Sequence, residues 1–414
     1  MSANNIMLKD TSDIERKPSK DNNGPPSCEA HTGTSTPIQQ DRLSRSLSAR
    51  QVQMIAIGGT IGTGLFLGSG NALASSGPAS MLIAYAICGG IVFVTMLSLG
   101  EMAAFIPVAG SFCTFAGRFV DDAFGFALTW NYWFNDAVTT ASDLVALQLI
   151  LQYWVDHFPG WAFSLIFWVV LILINVLAVK VYGEVEYWLS VLKIITVVVR
   201  RQQIRELVDA HGAENWRIPG APFVGGIGGF ASVFVTAAFS YGGTESIAIT
   251  AGETKNPANT LPKVVQNVFW RILIFYFLSV LVIGLNVPYN YPELAEKEVK
   301  TSPFTLVFQM TGTKAAGSVM NAVIMTSVIS AGNHALFAGA RLLYTLALAG
   351  HAPKGFGRLN RQEVPWVAVI GTGIVSGLCF GSSKIGAGQL WLWLQKWVTY
   401  AFHPLNHLGP NREN

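Results

Sequence analysis

The sequence predicts an all-α polytopic membrane protein. Of its 414 residues, 51% are hydrophobic and only 12% are charged, roughly half the charged fraction of a soluble domain. Apolar runs of about 20 residues, the length of a membrane-spanning helix, recur along the chain. Two of these runs are interrupted at their centres by glycines and small polar residues. Lipid cannot pair the backbone groups that such breaks release, so the breaks predict a protected cavity inside the bundle.

The first 45 residues form a different kind of segment. They are rich in Ser, Thr, Pro, Asn, Asp and Lys and contain few large apolar residues. Because this composition cannot offset the entropy of ordering, residues 1–45 are predicted to be a disordered tail. The tail lacks the basic-then-apolar pattern of a cleaved signal peptide. Its Lys and Arg residues predict a cytoplasmic N-terminus.

The apolar runs follow one another within a transmembrane domain predicted over residues 46–395. A further run at 186–199 is short for a span. The loops expected in the cytoplasm carry Lys and Arg, whereas the loops at 74–79 and 152–160, expected outside, carry neither. The estimated spans are 51–73, 80–106, 123–150, 161–180, 227–251, 264–287, 316–348 and 365–383.

One loop departs from this charge pattern. Residues 200–217 contain four arginines on a side expected to face outward, and the preceding apolar run ends abruptly at Val199. Two interpretations remain open. The segment is either a short, tilted span with a polar end, or it is not the native continuation of the helix. We favour the second interpretation.

Four strings are similar to those of one transporter family. They are MIAIGGTIGTGLF at 54–66, GEMAAFIPVAGSF at 100–112, TESIAITAGETKNP at 244–257 and SAGN at 330–333. On these strings the chain resembles the fungal amino acid permeases, the yeast-type branch of the amino acid–polyamine–organocation superfamily. The resemblance implies a LeuT-like core of two inverted five-helix repeats with broken first and sixth helices, normally followed by two further helices. It also implies proton-coupled uptake of amino acids across the plasma membrane.

The chemistry of the two breaks fits a zwitterionic substrate. The first break frees backbone N–H groups at the N-terminus of a half-helix, where the dipole favours a carboxylate. The second break frees carbonyl oxygens, which suit an ammonium group. The alternative is that the glycines only permit tight helix crossing. The residues assigned to substrate binding are Ile61, Gly62, Thr63, Gly64, Ser240, Tyr241, Gly242, Gly243 and Thr244.

Ionisable residues within spans are costly and usually functional. Glu245 directly follows the second break, where family members have an acidic residue implicated in the response to protons. Lys193 lies in the middle of an apolar run, where the superfamily often has a lysine in place of a bound sodium ion. Both are assigned to proton coupling; the alternatives are a structural hydrogen bond for Glu245 and a fixed counter-charge for Lys193. Glu101, late in the second span, is interpreted as a packing or gate residue.

Other polar residues depart from the family pattern. His334 follows Asn333 where family members often have serine, and we interpret it as a hydrogen-bonded packing residue. Asp143 stands where a glutamate is expected, and Asp136 where an aromatic residue is expected. Asp136 either tunes specificity or has its carboxyl satisfied within the bundle. The neighbouring hydroxyl residues that would satisfy it are Thr139, Thr140 and Ser142.

The sequence thus favours an amino acid:proton symporter of a fungal plasma membrane that works by alternating access. Its expected partners are amino acids, protons, the lipid bilayer and a ubiquitin ligase, which commonly acts on tail lysines of such permeases, here Lys9, Lys17 and Lys20. The weak net charge of +3 implies no nucleic-acid partner, and neither a cofactor, a metal nor a catalytic residue is expected. The alternative is a non-transporting relative, either a nutrient sensor or a defective truncated permease. Backbone motifs do not identify the amino acids carried.

The C-terminal residues depart from the family. Residues 396–414 supply no further apolar run of spanning length and are predicted to be a non-family tail. The tenth span would then be cut short, leaving about nine or ten spans instead of twelve and one cavity wall open to lipid. We therefore expect inefficient transport. Misplaced exon boundaries near residues 200 and 395 would explain both anomalies.

Overall fold

The computed structural model describes residues 43, 45–59, 61–108, 110–155, 159–177, 179–193, 214–295, 302–310 and 314–401. Several sequence-based predictions lie outside these residues. They are nearly all of the predicted disordered tail with its three lysines, most of the arginine-rich loop, and the residues after 401.

The described residues fold into helices, and the β-type pairing found among them is a single parallel bridge between Leu47 and Thr254. Two π-helical turns, Gly64–Gly68 and Ile272–Phe277, connect neighbouring helices. The helices in chain order are α1 Ala49–Gly58, α2 Ser69–Phe105, α3 Ser111–Phe119, α4 Asp122–Leu151, α5 Gly160–Val176, α6 179–193, α7 Gly226–Tyr241, α8 Ser246–Ile249, α9 Pro257–Gln266, α10 Val268–Arg271, α11 Leu278–Asn286, α12 Pro292–Ala295, α13 Pro303–Met310, α14 Lys314–Leu348, α15 Trp366–Ser376, α16 Ser382–Ile385 and α17 Ala387–Ala401.

The longest helical stretches confirm the prediction of a polytopic helical fold. Those long and apolar enough to cross a membrane are Gly64–Phe105, Pro257–Asn286, Gly317–Leu348 and Trp366–Ile385. The third buries 72% of its most apolar window, whereas the other three bury only 33–39%. Within the bundle α14 is therefore an interior helix. The others leave apolar side chains exposed to face lipid.

The first two predicted spans meet at a glycine. The backbone leaves helical geometry at Gly77, with φ 80° and ψ 166°, a conformation that side chains disfavour. The segment before α7 fills the gap there, because the Ala79 N–H donates to the Pro222 carbonyl at 3.2 Å. The predicted boundary at 74–79 thus corresponds to a real interruption within α2.

Helix α6 begins earlier than the sequence predicts. It covers 179–193 in the described chain, whereas the predicted apolar run begins at 186. Two glutamates obscure its start in the hydropathy pattern. Glu184 is half-exposed and pairs with Arg50 at 3.1 Å, whereas Glu186 is completely buried. The prediction of a nonpolar run therefore missed a buried acid.

Helix α17 continues past the predicted domain boundary at residue 395 and ends at Ala401. Its buried side chains, Trp391, Leu394 and Val398, recur at helical spacing and form one face. This face packs against α4 and α7. These 15 helical residues cover part of the wall that was expected to stand open to lipid, and the expectation for the rest of that wall stays a prediction.

Candidate functional site

The first break lies between α1 and the π-helical turn. α1 ends at Gly58, and helical geometry resumes at Gly64. Lys193, the last described residue of α6, donates from Nζ to the carbonyl oxygens of Gly58 at 2.6 Å and Ile61 at 3.0 Å. Where a helix is interrupted its carbonyls lose their regular partners, so the buried ammonium group stabilises the break.

The second break, between α7 and α8, crosses the first at contact distance. A Cβ added to Gly64 would lie 2.5 Å from the Ser240 Cα, and one on Gly243 would lie 2.9 Å from the Gly59 carbonyl oxygen. Gly243 also has φ +88°, which favours glycine. The glycines therefore do permit tight crossing, as the alternative interpretation held. The crossing also creates a cavity.

The cavity lies between the two breaks and helices α4, α7, α14 and α17. Six of the predicted binding residues line it, namely Gly62, Thr63, Gly64, Ser240, Gly242 and Gly243. The other three, Ile61, Tyr241 and Thr244, are buried but are not among the lining residues. The remaining lining residues are Gly59, Asn135, Asp136, Thr139, Asp143, Ala238, Phe239, Ser246, Ala331, His334, Ala335 and Val398.

Several carbonyls of the second break already have donors. The Tyr276 hydroxyl donates to the Ser240 carbonyl at 2.9 Å, and the Thr244 hydroxyl donates to the Tyr241 carbonyl at 2.7 Å. The Tyr241 hydroxyl in turn donates to the Tyr85 carbonyl at 3.0 Å. Tyr241 and Thr244 thus brace the break, which explains why their side chains do not line the cavity.

Glu186 is a buried acid that sequence reasoning missed. One carboxylate oxygen accepts from the Ser330 hydroxyl at 2.5 Å, and the other accepts from the Asn333 amide at 2.6 Å. Glu186 and Lys193 lie seven residues apart on α6, which places them on the same helix face. Glu186 therefore ties α6 to α14 beside the lysine that holds the first break.

The predicted proton-coupling residue Glu245 sits at the end of the second break. Its Oε1 accepts from the Gly243 N–H at 3.3 Å, and its charge interacts with Asp136. It is not among the cavity-lining residues. Glu101 is exposed, which does not support a packing role, and its interpretation as a gate residue stays a prediction.

His334 is a packing residue with one hydrogen-bonded nitrogen. Its Nδ1 lies 2.9 Å from the Tyr182 hydroxyl, and Tyr182 stacks on Phe337 with ring centroids 3.9 Å apart. A Cβ on Gly59 would lie 2.5 Å from the His334 ring, so the first break rests directly on the imidazole. This arrangement agrees with the interpretation of His334 as a hydrogen-bonded packing residue.

The two aspartates of α4 reach the cavity in different ways. Asp143 accepts from the Thr63 hydroxyl at 2.8 Å and so contacts the first break. Asp136 lies seven residues earlier and also lines the cavity. Positions i and i+7 share one face of a helix, so both carboxylates point to the same side of α4. The neighbouring Thr140 hydroxyl donates to the Asp136 backbone carbonyl at 2.9 Å and therefore does not serve its carboxyl.

A buried ion pair joins α14 to the segment that follows the second break. Arg341 Nε lies 3.0 Å from Glu253 Oε1, with side-chain exposures of 2% and 1%. The guanidinium also lies over the Phe337 ring at 3.5 Å. Beside it, the Leu47 N–H donates to the Glu253 carbonyl at 3.1 Å. The segment that precedes α1 is thereby joined to the segment that follows the second break.

Two interrupted helices that cross around a cavity within a polytopic helical bundle are typical of a membrane transporter. The sequence profile of the amino acid permease family matches residues 51–403, and the chain belongs to that family. The fold also resembles Mhp1, a nucleobase-cation-symport-1 family transporter, in a closed conformation with bromovinylhydantoin bound. The TM-score is 0.51 at 13% identity, over 86% of this chain and 78% of that one.

Curated relatives come from both fungi and bacteria. A probable amino-acid permease of Schizosaccharomyces pombe is 47% identical, over 85% of this chain and 74% of the relative. The lysine-specific permease LysP of Escherichia coli has the same identity and the same coverage. A lysine-specific permease of Saccharomyces cerevisiae is 40% identical, over 86% of this chain and 61% of the relative. Identity therefore does not separate a fungal branch from a bacterial one.

Proposed function

We propose that the chain takes up amino acids together with protons across the plasma membrane by alternating access. The observation that best supports this proposal is the contact of the two breaks at Gly64 and Ser240 beside a cavity with polar walls. Discontinuous helices at this position let backbone groups bind a small polar substrate without exposing them to lipid. The names of these relatives range from lysine-specific permease to amino-acid permease in general, so they do not choose one substrate for this chain.

The substrate carboxylate binds at the first break. Within the described residues, no protein acceptor engages the N–H groups of Gly62 and Thr63. Both residues line the cavity. Unpaired N–H groups at the start of a helical segment favour an anion. This is the same arrangement that the sequence predicts for the carboxylate.

Lys193 and Glu245 make the two breaks sensitive to protons. The Lys193 ammonium holds two carbonyls of the first break, and charged donors form stronger hydrogen bonds than neutral ones. When Lys193 loses its proton, its hydrogen bonds to the carbonyl oxygens at the end of α1 become weaker. The Glu245 carboxylate accepts from Gly243 in the second break, and protonation weakens that acceptor. Gain of a proton at Glu245 or loss of one at Lys193 thus weakens the hydrogen bonds that hold one half-helix at its break.

Replacement of either coupling residue is expected to flatten the dependence of uptake on external pH. Glu245→Gln and Lys193→Ala remove the titrating group, so proton-driven accumulation should fall about tenfold while facilitated exchange persists. The measurement is uptake of labelled amino acids from pH 5 to pH 8 in a permease-deficient cell. The exposed residues Glu363 and Lys384 supply matched controls, as Glu363→Gln and Lys384→Ala. An unchanged pH profile in both test variants would show that coupling lies elsewhere.

Substitution at Gly62 is expected to remove substrate binding with little loss of fold. A Cβ at Gly62 would meet only the Ala331 Cβ, at 3.0 Å, so a small shift accommodates it. The branched side chain of Gly62→Val then covers the N–H groups at the break. Affinity for labelled amino acids should drop about tenfold or more in purified, monodisperse protein. Gly90→Val, at a position with open space around it, is the control, and retained affinity in Gly62→Val would refute the carboxylate assignment.

The remaining parts of the proposal concern location and regulation. The charge pattern of the loops supports a cytoplasmic N-terminus, and the tail lysines are the proposed acceptors for a ubiquitin ligase. A nutrient sensor remains the second candidate. Uptake in a permease-deficient cell separates the two, because a sensor binds labelled amino acid without accumulating it. The same assay tests the expected inefficiency of transport by this chain.

A further inference from the structure

The cavity contains buried hydrogen-bond acceptors that lack donors. Among the cavity-lining residues that the structure describes, His334 Nε2 and three oxygen atoms have no hydrogen-bond partner, and the oxygens are Asp136 Oδ2, Asn135 Oδ1 and Asp143 Oδ2. These three residues are only 9%, 7% and 1% exposed, and all of them line the cavity. An unpaired buried acceptor costs free energy comparable to a lost hydrogen bond, and an unpaired carboxylate costs more. The set therefore calls for a ligand that donates.

The electrostatic surroundings distinguish the two aspartates. Asp143 has the Thr63 hydroxyl at 2.8 Å and interacts with the charge of Lys193. The charged neighbour of Asp136 in the described structure is another acid, Glu245. Asp136 thus has a buried carboxyl group without a cationic partner among the described residues. Buried charges in proteins are normally paired.

We propose that this cavity selects amino acids with a cationic side chain, whose ammonium or guanidinium group binds Asp136 and Asn135. This inference rests on the proposed function, because the zwitterionic head of the same substrate occupies the first break beside Asp143. A donor-only cation satisfies Asp136 Oδ2 and Asn135 Oδ1 together, since both are acceptors. A neutral side chain leaves both of them unsatisfied.

The spacing along α4 fits this assignment. Asp136 and Asp143 share one helix face and lie about 10 Å apart along the axis at 1.5 Å per residue. An extended five-bond lysine side chain reaches about 6 Å from Cα to Nζ at ordinary bond lengths. A hydrogen bond of about 3 Å at its end covers the remainder. The substrate therefore lies along α4, with its head at the two breaks and its side chain towards Asp136.

The test compares L-lysine with L-norleucine, which has the same chain without the terminal ammonium group. Calorimetric titration of the purified full chain should give an affinity for lysine about tenfold or more above that for norleucine. Asp136→Asn should lower lysine affinity by a similar factor and leave norleucine affinity unchanged. Asp122→Asn makes the same change on the same helix at a side chain that is 86% exposed, and it should alter neither affinity.

Equal affinity of the unaltered protein for lysine and norleucine would overturn the inference and leave the proposed function standing. That comparison needs no variant, so poor folding of Asp136→Asn cannot obscure it. Lysine binding that survives Asp136→Asn unchanged would also overturn the inference. Failure of the unaltered protein to bind lysine, norleucine or any other amino acid would overturn the proposed function as well.

Discussion

Arg341→Met is expected to lower the free energy of unfolding by about 3–5 kcal/mol, the usual cost of leaving one member of a buried ion pair without its partner. Arg341 Nε lies 3.0 Å from Glu253 Oε1, and both side chains are almost fully buried. Methionine keeps most of the length of the side chain but removes the guanidinium group from the buried Glu253 carboxylate. The measurement is thermal unfolding of the purified protein in detergent.

An exposed pair elsewhere in the same protein provides the matched control. Arg50 and Glu184 lie 3.1 Å apart, with side chains 59% and 47% exposed. Because water screens such pairs, Arg50→Met should cost about 1 kcal/mol or less. Adding Glu253→Gln to Arg341→Met removes the buried negative charge and should recover part of the loss. Equal shifts for the two single variants would show that the buried pair does not hold this end of the bundle.

Gly64→Ala is expected to abolish amino acid binding and to destabilise the fold. The new Cβ would lie 2.5 Å from the Ser240 Cα and 2.9 Å from the Ser240 nitrogen, and backbone atoms cannot rotate away. The two breaks must therefore separate. A misplacement of about 1 Å at a binding constellation can cost about 100-fold, so we expect at least that loss of affinity. Binding of labelled amino acid and thermal unfolding measure the two effects.

Gly90→Ala is the control for this change. Gly90 lies in α2, where an added Cβ would have no other atom within 4 Å, so the new methyl group should be neutral or slightly stabilising. The comparison with Gly62 is also informative, because a Cβ there meets only a side-chain methyl group at 3.0 Å. Retained binding in Gly64→Ala would mean that the crossing tolerates separation and does not position the substrate groups.

The elements that hydropathy predicts correctly are those with uniform surroundings. The stretches at Gly64–Phe105 and Pro257–Asn286 face lipid along much of their length, so their composition alone identifies them. Errors occur where buried polar residues interrupt the pattern. Helix α6 is predicted to begin too late, at residue 186, because Lys180 and Glu184 precede the apolar run, and the burial of Glu186 depends on donors from α14. The end of α17 is predicted too early because its apolar residues are spaced for one face and do not form a continuous run.

Within the site, the sequence singled out residues that are unusual inside an apolar helix. The glycines of both breaks, Lys193 and Glu245 stood out because helices in lipid exclude such residues unless they serve a purpose. The pairings were not visible. Arg341 and Glu253 are 88 residues apart, and the Lys193 ammonium reaches a carbonyl 135 residues away. The shortage of donors around Asp136 likewise depends on cavity-lining segments that are far apart in the sequence.

The sequence by itself determined that this protein is a polytopic helical transporter with two interrupted helices. Hydropathy and glycine placement are local properties, and a bilayer constrains them directly because lipid cannot pair exposed backbone groups. Only the tertiary structure decided how the breaks cross and which predicted residues line the cavity. It also decided which carbonyls already have donors and which carboxylates lack a counter-charge. The physical reason is that hydrogen bonds and ion pairs act over a few ångströms in space, whatever the separation of their partners along the chain.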